Sequence, residues 1–598
     1  MKRKVILIVF SFFLLFDFAK AITKAPVDIT NMSIDELLDA MDKGYITSES
    51  LVKMYLERID IYDKDFNAIN QINSNAINDA KLLDEMRKEG KIKGKLHGIP
   101  ILVKSNIDVV GLSTNAGTLA LNENYPIRNS TVVQKLIDEG AIILGSCNMS
   151  ALAFSASASY GSFGHVKNVF DISKTPLGSS GGSAVAVGAS FAAVALGTDT
   201  NSSVRAPASA AGLVGIRPTL GLVSRRGVLP YDYERDTVGV LSKTVKDNAL
   251  LLSIISGYDE EDSVTELSKK VDYNIENDSL KGMKIGVITQ YVTGSEKESG
   301  ATSLTDFEIN DLLNRSINLM SDAGAEIINL DSFVKYSNLR IASKTMAGGT
   351  FCDYFNDYIL GTEGPIKDFK DLASSKNSVW NLSGYLKSCG VQIKSKDKRD
   401  ADKKIYEEYV LDYFNKYELD VLLYPTIKNK LPLEKNSSGN LIPGNSLGSV
   451  IGYPSITVPM GKASDGISYG IEFLSKKYNE DKLYNIALGF EKINKNNIVG
   501  TSLTPSLFLV PDSVTELIKV YEEMLNSNDN QKWLDEVKDF LTNYNDYEDG
   551  EAKAIYLLDL LKEEESNKEN IDGRYFVFAL IIICVLIIVK NIFIYCIF

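Results

Sequence analysis

Apolar residues recur at helical spacing over Ile34–Lys43, Ser48–Asp60 and Ala76–Glu89, which predicts three amphipathic helices early in the chain. Ser33 and Thr47 stand at N-cap positions, and Asp35 and Glu36 fall in a first turn, where carboxylates suit the helix dipole. Short apolar runs at Ile99–Val103 and Ala141–Leu144 read as strands, the second preceded by a helix over Ser130–Glu139. Lys284–Ile288 and Glu326–Leu330 read as strands around a further helix. Helix alternating with apolar strand argues an α/β fold.

One stretch departs from this alternation. Thr175 to Pro218 is almost free of charge and crowded with Gly, Ala and Ser. Small residues let backbone pack on backbone and leave N–H groups able to face a ligand. A flexible linker would not carry the apolar run Ala184–Leu196 nor end on an Arg-x-Pro turn. Gly178-Ser179-Ser180-Gly181-Gly182 fits the G-x-S-x-G elbow that presents a nucleophilic serine, but that fold needs a histidine later in the chain. The chain has only two, His97 and His165, and both precede the serines. No Gly-Lys-Ser/Thr follows the glycines, so a phosphate loop is excluded as well.

A serine hydrolase without a suitable histidine needs another base, and a buried neutral lysine is the usual substitute. Lys104 ends the apolar run from Ile99. Its alternative is to snorkel to solvent from the strand end. In apolar surroundings the ammonium loses hydration, its pKa falls, and the amine can accept a proton.

With Gly98-Ile99-Pro100 through Lys104, Gly178 through Ser183, Gly197-Thr198-Asp199 through Arg205, and Gly212 to Pro218, the chain resembles the amidase signature family. The resemblance runs from about Ile34 to Leu509 and weakens between Val264 and Gly444. It implies a single large α/β domain, a mixed β-sheet core covered by helices. It also implies a Ser–cis-Ser–Lys triad, for which Lys104, Ser179 and Ser203 fall at the matching positions, with Ser179 on a cis peptide bond. In such a site Ser203 attacks the amide carbonyl, Lys104 takes a proton through Ser179, and Ser179 returns one to the leaving nitrogen. Backbone N–H groups of Thr200, Asn201, Ser202 and Ser203 would stabilise the oxyanion. Asp199 and Arg205 are expected to pair behind the loop, as support for the site or as a plain ion pair. Two departures stand out. Asn201-Ser202 replaces the two glycines usual before the nucleophile, and Leu177 replaces another. Asn tolerates unusual backbone angles, so the first is expected to narrow the site rather than abolish it, and the second to be milder.

The ends of the 598-residue chain add a topological expectation. Lys2-Arg3-Lys4, an apolar run from Val5 and Ala19-Lys20-Ala21 read as a secretory signal over 1–21, or as an uncleaved anchor. Residues 22–511 would form the amidase domain and 512–575 an acidic helical extension, read as a solvated stalk. Residues 576–598, apolar except around Lys590, read as a transmembrane segment. The protein is therefore expected to be secreted across a membrane and tethered to it. A formal net charge of −14 without a basic block beyond the N-terminus argues against nucleic acid as a partner. No cofactor is expected, and no metal, since neither histidine has a Cys or carboxylate cluster beside it in sequence. Cys147, Cys352 and Cys389 precede the tail, too few for a disulfide-built fold but enough for one bridge. Three functions compete. The first is an extracytoplasmic amidase acting on a small-molecule or peptide amide. The second is the glutaminase subunit of a tRNA-dependent amidotransferase, disfavoured by the apparent signal and tail. The third is a catalytically impaired binding protein on the same scaffold, which the intact triad positions oppose.

Overall fold

The computed structural model describes residues 23–562, apart from 274, 290–304, 332, 334–350, 387–388, 390–395, 435–446, 496–499, 528–530 and 545–548. Two compact units result, one of residues 29–38 and 48–505, the other of 23–28, 39–47 and 506–562.

The larger unit is built on an eleven-stranded sheet. In chain order its strands are β1 (Ile69–Ile72), β2 (Pro100–Lys104), β3 (Ile142–Cys147), β4 (Val194–Asp199), β5 (Val214–Arg217) and β6 (Thr237–Ser242). They continue as β7 (Lys284–Val287), β8 (Glu326–Asn329), β9 (Val421–Pro425), β10 (Ser455–Lys462) and β11 (Ser468–Leu474). The spatial order is β8-β7-β9-β11-β10-β5-β6-β4-β2-β3-β1. β2 runs parallel to both β3 and β4, β7 parallel to β8 and β9, and the remaining pairs are antiparallel. The sheet is mixed, as the family resemblance implied. Strands β2 through β6 are buried along their whole length, and β2 and β3 accordingly read in the sequence as short apolar runs rather than alternating ones.

The early helices form where the apolar spacing puts them, at Ile34–Asp42, Ser48–Phe66 and Ala76–Lys88. Ser33 and Glu36 cap the first reciprocally: the Glu36 N–H donates to Ser33 Oγ, and the Ser33 N–H to Glu36 Oε2. At the second, the Asp84 carboxylate accepts from the N–H groups of Ser48 and Glu49, a long-range cap that local sequence does not reveal. The apolar run Ala184–Leu196 is divided between the helix Gly181–Gly188 and strand β4.

In the smaller unit Thr23–Lys24 pairs in parallel with Phe508–Leu509. Its helices Asp512–Ser527 and Gln531–Thr542 bury Val514, Leu517, Val537 and Phe540, so the acidic extension has an apolar, packed face that a solvated stalk lacks. No helix among the described residues is long and apolar enough to cross a membrane, which corrects the expected fold with its transmembrane segment. Residues 576–598, where that segment was placed, and 1–21, read as a signal, lie outside the described residues.

The helix Gly181–Gly188 can pack this closely only because Gly182 has no side chain. A Cβ there would meet Asn148 O at 2.1 Å and Ala68 O at 2.6 Å, both backbone atoms that cannot swing away. Gly182→Ala is expected to destabilise the protein by about 2 kcal/mol or more, as forced overpacking does. Urea unfolding of the two proteins measures it; equal midpoints would show that the helix shifts freely.

Candidate active site

Strands β2 and β4 lie side by side in parallel, with Leu102 opposite Ala195 and Val103 opposite Leu196. Their carboxyl ends therefore emerge together, which is where α/β sheets present their sites. Lys104 closes β2, and Thr198 and Asp199 close β4.

Lys104 is fully buried. Its Nζ lies 2.6 Å from Ser179 Oγ, 2.7 Å from Thr198 Oγ1 and 3.4 Å from Thr198 O. Burial pushes its pKa down to about 7, against the opposing pull of Asp199 and Asp236. Ser179 follows a cis peptide bond from Gly178 and begins the turn into the helix Gly181–Gly188. Next to it Ser180 acts as a rivet. Its Oγ donates to Thr198 O at 3.2 Å and accepts from the Thr198 N–H at 3.3 Å, while its own N–H donates to Ser203 O at 3.1 Å. That last bond joins the segment of Ser203 to the segment of Ser179. Lys104, Ser179 and Ser203 are thus brought to one place, and Ser203 keeps 5% of its surface accessible.

Asp199 organises the loop between β4 and the helix Arg205–Ala210. Its Oδ1 accepts from the Ser202 N–H at 2.9 Å and its Oδ2 from the Val204 N–H at 3.2 Å. The expected pair forms, with Arg205 Nε donating to Asp199 Oδ2 at 3.1 Å. Burial alone would push this carboxyl up; Arg205 and Arg217 outweigh it and hold Asp199 well below the usual carboxylate range. Arg205 also donates to Glu472 on β11 and to Ser449 Oγ at 3.0 Å, and Tyr424 Oη donates to the same Glu472 oxygen at 2.9 Å. Arg217 donates to Asp199 O and, at 2.6 Å, to Arg235 O. Two carboxylates and two guanidinium groups, all with fully buried side chains, therefore form one network behind the loop. Of these only Asp199 and Arg205 stood out in the sequence. Arg217 lay inside the recognised motif without a role, and Glu472 is signalled only as a lone carboxylate in an apolar strand.

Of the four oxyanion donors expected, the Ser202 N–H is committed to Asp199, while no such commitment to that carboxylate binds Thr200, Asn201 or Ser203. Thr200 Oγ1 donates to Asp236, whose other oxygen accepts from the N–H groups of Tyr231 and Asp232 at 2.8 Å each. Tyr231 in turn packs at a tilt against Phe154, which also packs on Phe351 and Tyr385. Cys352 and Cys389 form a disulfide next to that aromatic cluster, and Cys147 is a free, buried core residue.

The histidines stand apart from this chemistry. His97 accepts the Lys93 N–H at Nδ1, 2.9 Å away, so its Nε2 donates to Leu83 O at 2.9 Å. His165 stacks on Tyr160 and pairs with Glu434, a carboxylate too distant in sequence to anticipate. Among the described residues no cluster of His, Cys, Asp or Glu is built to hold a metal.

The family model described as Amidase matches residues 50–484. The chain belongs to the amidase family. Its members act on the carbon–nitrogen bonds of amides, and this chain is such an enzyme. It is 32% identical to a glutamyl-tRNA(Gln) amidotransferase subunit of Thermoanaerobacter pseudethanolicus, over 79% of this chain and 98% of that protein. The structure of a peptide amidase from Stenotrophomonas maltophilia matches with a TM-score of 0.71 and 29% identity, over 78% of this chain and 98% of that one. An amidase family protein from Bacillus anthracis matches with a TM-score of 0.67 and 30% identity, over 79% of this chain and 92% of that one. The likeness to amidotransferase subunits, with no membrane-crossing helix among the described residues, overturns the expectation of a secreted, membrane-tethered enzyme.

The departures from the family pattern acquire a geometric meaning here. Ser202 has φ +75° and Leu177 φ +64°, both in the left-handed region that suits glycine, whereas the positive angle does not fall on Asn201. The tolerance of Asn for unusual angles is therefore not what accommodates the change. Both positions carry strain, and Leu177 is as affected as Ser202. The Ser202 hydroxyl is also buried without a partner. Left-handed strain costs about 1–2 kcal/mol and a buried orphan hydroxyl about 1–3 kcal/mol, against about 0.5–1 kcal/mol for the extra freedom of an unfolded glycine. Ser202→Gly is thus expected to stabilise the enzyme by about 1 kcal/mol or more. Calorimetry reads this as a raised Tm; a lowered one would mean that the hydroxyl is held by something it needs.

Proposed function

We propose that the enzyme hydrolyses a carboxylic amide through a serine acyl-enzyme, with Ser203 as nucleophile, Ser179 as proton relay and Lys104 as base. The observation that carries this reading is the 2.6 Å approach of Lys104 Nζ to Ser179 Oγ between two fully buried side chains. A neutral amine has one lone pair, and directed at Ser179 it accepts that hydroxyl's proton as Ser179 accepts the proton of Ser203. The Ser203 oxygen then bonds to the carbonyl carbon, and the oxyanion is held by the N–H groups of Thr200, Asn201 and Ser203, each worth about 3 kcal/mol in such a site. Ser179 passes the proton to the amide nitrogen, which leaves as ammonia or amine. Water repeats the steps on the ester, releasing the acid and restoring Ser203. Asp199, with Arg205 and Arg217 around it, fixes the loop in which these donors lie.

A glutaminase reading also has a specific observation in its favour: the chain aligns with 98% of the length of a glutamyl-tRNA(Gln) amidotransferase subunit. Both readings use the same acyl-enzyme and differ in the acyl group. Incubation with glutamine and with peptide C-terminal amides, reading released ammonia, separates them. The first reading expects turnover of the peptide amide by the isolated chain; ammonia from glutamine alone would favour the second.

A fluorophosphonate probe tests the chemistry without knowledge of the substrate. Ser203→Ala is expected to abolish labelling while retaining the circular dichroism of the native protein. Labelling that persists, or that mass spectrometry maps to Ser180, would overturn the assignment.

The pH dependence follows from Lys104. The base must be neutral, its pKa is pushed down to about 7, and so the labelling rate should rise through pH 7 and level off above it. Lys104→Ala should lower the plateau by about 10²–10⁴-fold, the usual worth of a general base. A rate independent of pH in the wild-type protein would contradict the role.

A further inference from the structure

We infer that Asn106 is a positioning residue for the reaction, acting on Lys104 through the hydroxyl of Thr198. Asn106 lies two residues beyond Lys104, in the turn that follows β2, where the Ile107 N–H donates to Lys104 O at 3.0 Å. It is 2% exposed. Its Nδ2 lies 3.2 Å from Thr198 Oγ1 and 3.3 Å from Leu229 O. A backbone carbonyl only accepts, so the contact with Leu229 O fixes which way the amide faces. The atom turned toward Thr198 is therefore the nitrogen, a donor, and Thr198 Oγ1 must accept from it. The Asn106 carbonyl oxygen is left buried with no partner. The backbone holds the residue in place, since the Leu229 N–H donates to Asn106 O at 2.8 Å.

This matters because Thr198 Oγ1 is a main partner of Lys104 Nζ besides Ser179. A hydroxyl oxygen has two lone pairs. Asn106 occupies one, so at most one faces Lys104. An ammonium needs three acceptors, whereas a neutral amine needs two acceptors and one donor. Thr198 Oγ1 and Thr198 O supply two acceptors, and the third neighbour, Ser179, is free to donate. The donor from Asn106 thus keeps the surroundings suited to the neutral amine and leaves its lone pair for Ser179. Charges that act on Lys104 from neighbouring segments are Asp199 at the end of β4 and Asp236 before β6. Asp199 is covered by Arg205 and Arg217. Asp108, further along the same segment, has its Oδ1 engaged by Thr114 and Tyr358 at 2.7 Å each.

The inference rests on Lys104 being the base, and one set of measurements separates the two. The second-order rate of fluorophosphonate labelling is followed from pH 5 to 10 in the wild-type protein, Lys104→Ala, Asn106→Asp and Asn106→Ala. In Asn106→Asp the carboxyl keeps the shape but cannot donate to both oxygens. Thr198 then turns to donate to it, which makes its oxygen a better acceptor for an ammonium, and the added negative charge favours the same form. The acid limb is expected to move up by about one pH unit or more, as for an opposite charge brought within reach, with the plateau rate within a few-fold of wild type. Asn106→Ala, which lacks the donor without adding charge, should move it in the same direction by less, and decides the matter alone should the first variant fail to fold. A merely structural residue would slow labelling equally at every pH. Limbs that stay at the wild-type midpoint overturn the role of Asn106 while leaving Lys104 as base. A wild-type protein without an acid limb, or Lys104→Ala with a normal one, sinks both.

Discussion

An amine buried without a counter-ion is the constraint on which the site depends. Nothing apolar solvates an ammonium, so Lys104 is tolerated at the end of β2 only if it gives up its proton or finds acceptors. The surrounding atoms are arranged for the first outcome. A serine, a threonine and an asparagine supply dipoles, and the two nearby carboxylates are diverted: Asp199 to its arginines, Asp236 to Thr200 and two backbone N–H groups. Had either carboxylate paired with Lys104 directly, the amine would have stayed charged and could not accept a proton.

Diverting Asp199 imposes a second requirement. A carboxylate buried this deeply must itself be matched, and Arg205 and Arg217 over-match it until Glu472 restores neutrality. Such a network contributes little net stability, because desolvating four charges offsets most of their attraction. Its value is geometric. Residues from β4, β5 and β11 are locked to one another, and the locked element is the loop holding Thr200 to Ser203. The loop cannot relax without stranding a charge, which is how a turn of small residues becomes rigid enough to hold the proposed oxyanion donors in place.

Much of this was legible in the sequence, and the reasons for the rest are physical. Helices and buried strands declare themselves by spacing, and the early helices and strands β2 and β3 lie where the apolar pattern put them. The candidate site was legible because its residues cluster within three short segments, so that Lys104, Ser179, Ser203, Asp199 and Arg205 could each be named as candidates. Partners contributed from afar were not. Nothing local in Glu472 announces that it completes a network with Arg205, nor does Asp84 announce that it caps a helix beginning at Ser48. The Cys352–Cys389 bridge was open for the same reason. The span that apolar length suggested at 576–598 lies outside the described residues, and no described helix is long and apolar enough to cross a membrane.

The loop before Ser203 shows how a departure from a glycine pattern is absorbed. Two glycines offer two places for a left-handed turn, yet the chain uses one, and it falls on Ser202 rather than on the more permissive Asn201. The reason lies in what Ser202 donates. Its N–H must reach Asp199 Oδ1, and the Val204 N–H must reach Oδ2, so the turn is fixed by the carboxylate and not by the local preference of either residue. Asn201, which makes no bond to Asp199, is left exposed. The strain at Ser202 is therefore a consequence of the buried charge on Asp199, which traces back to the need to keep that charge away from Lys104.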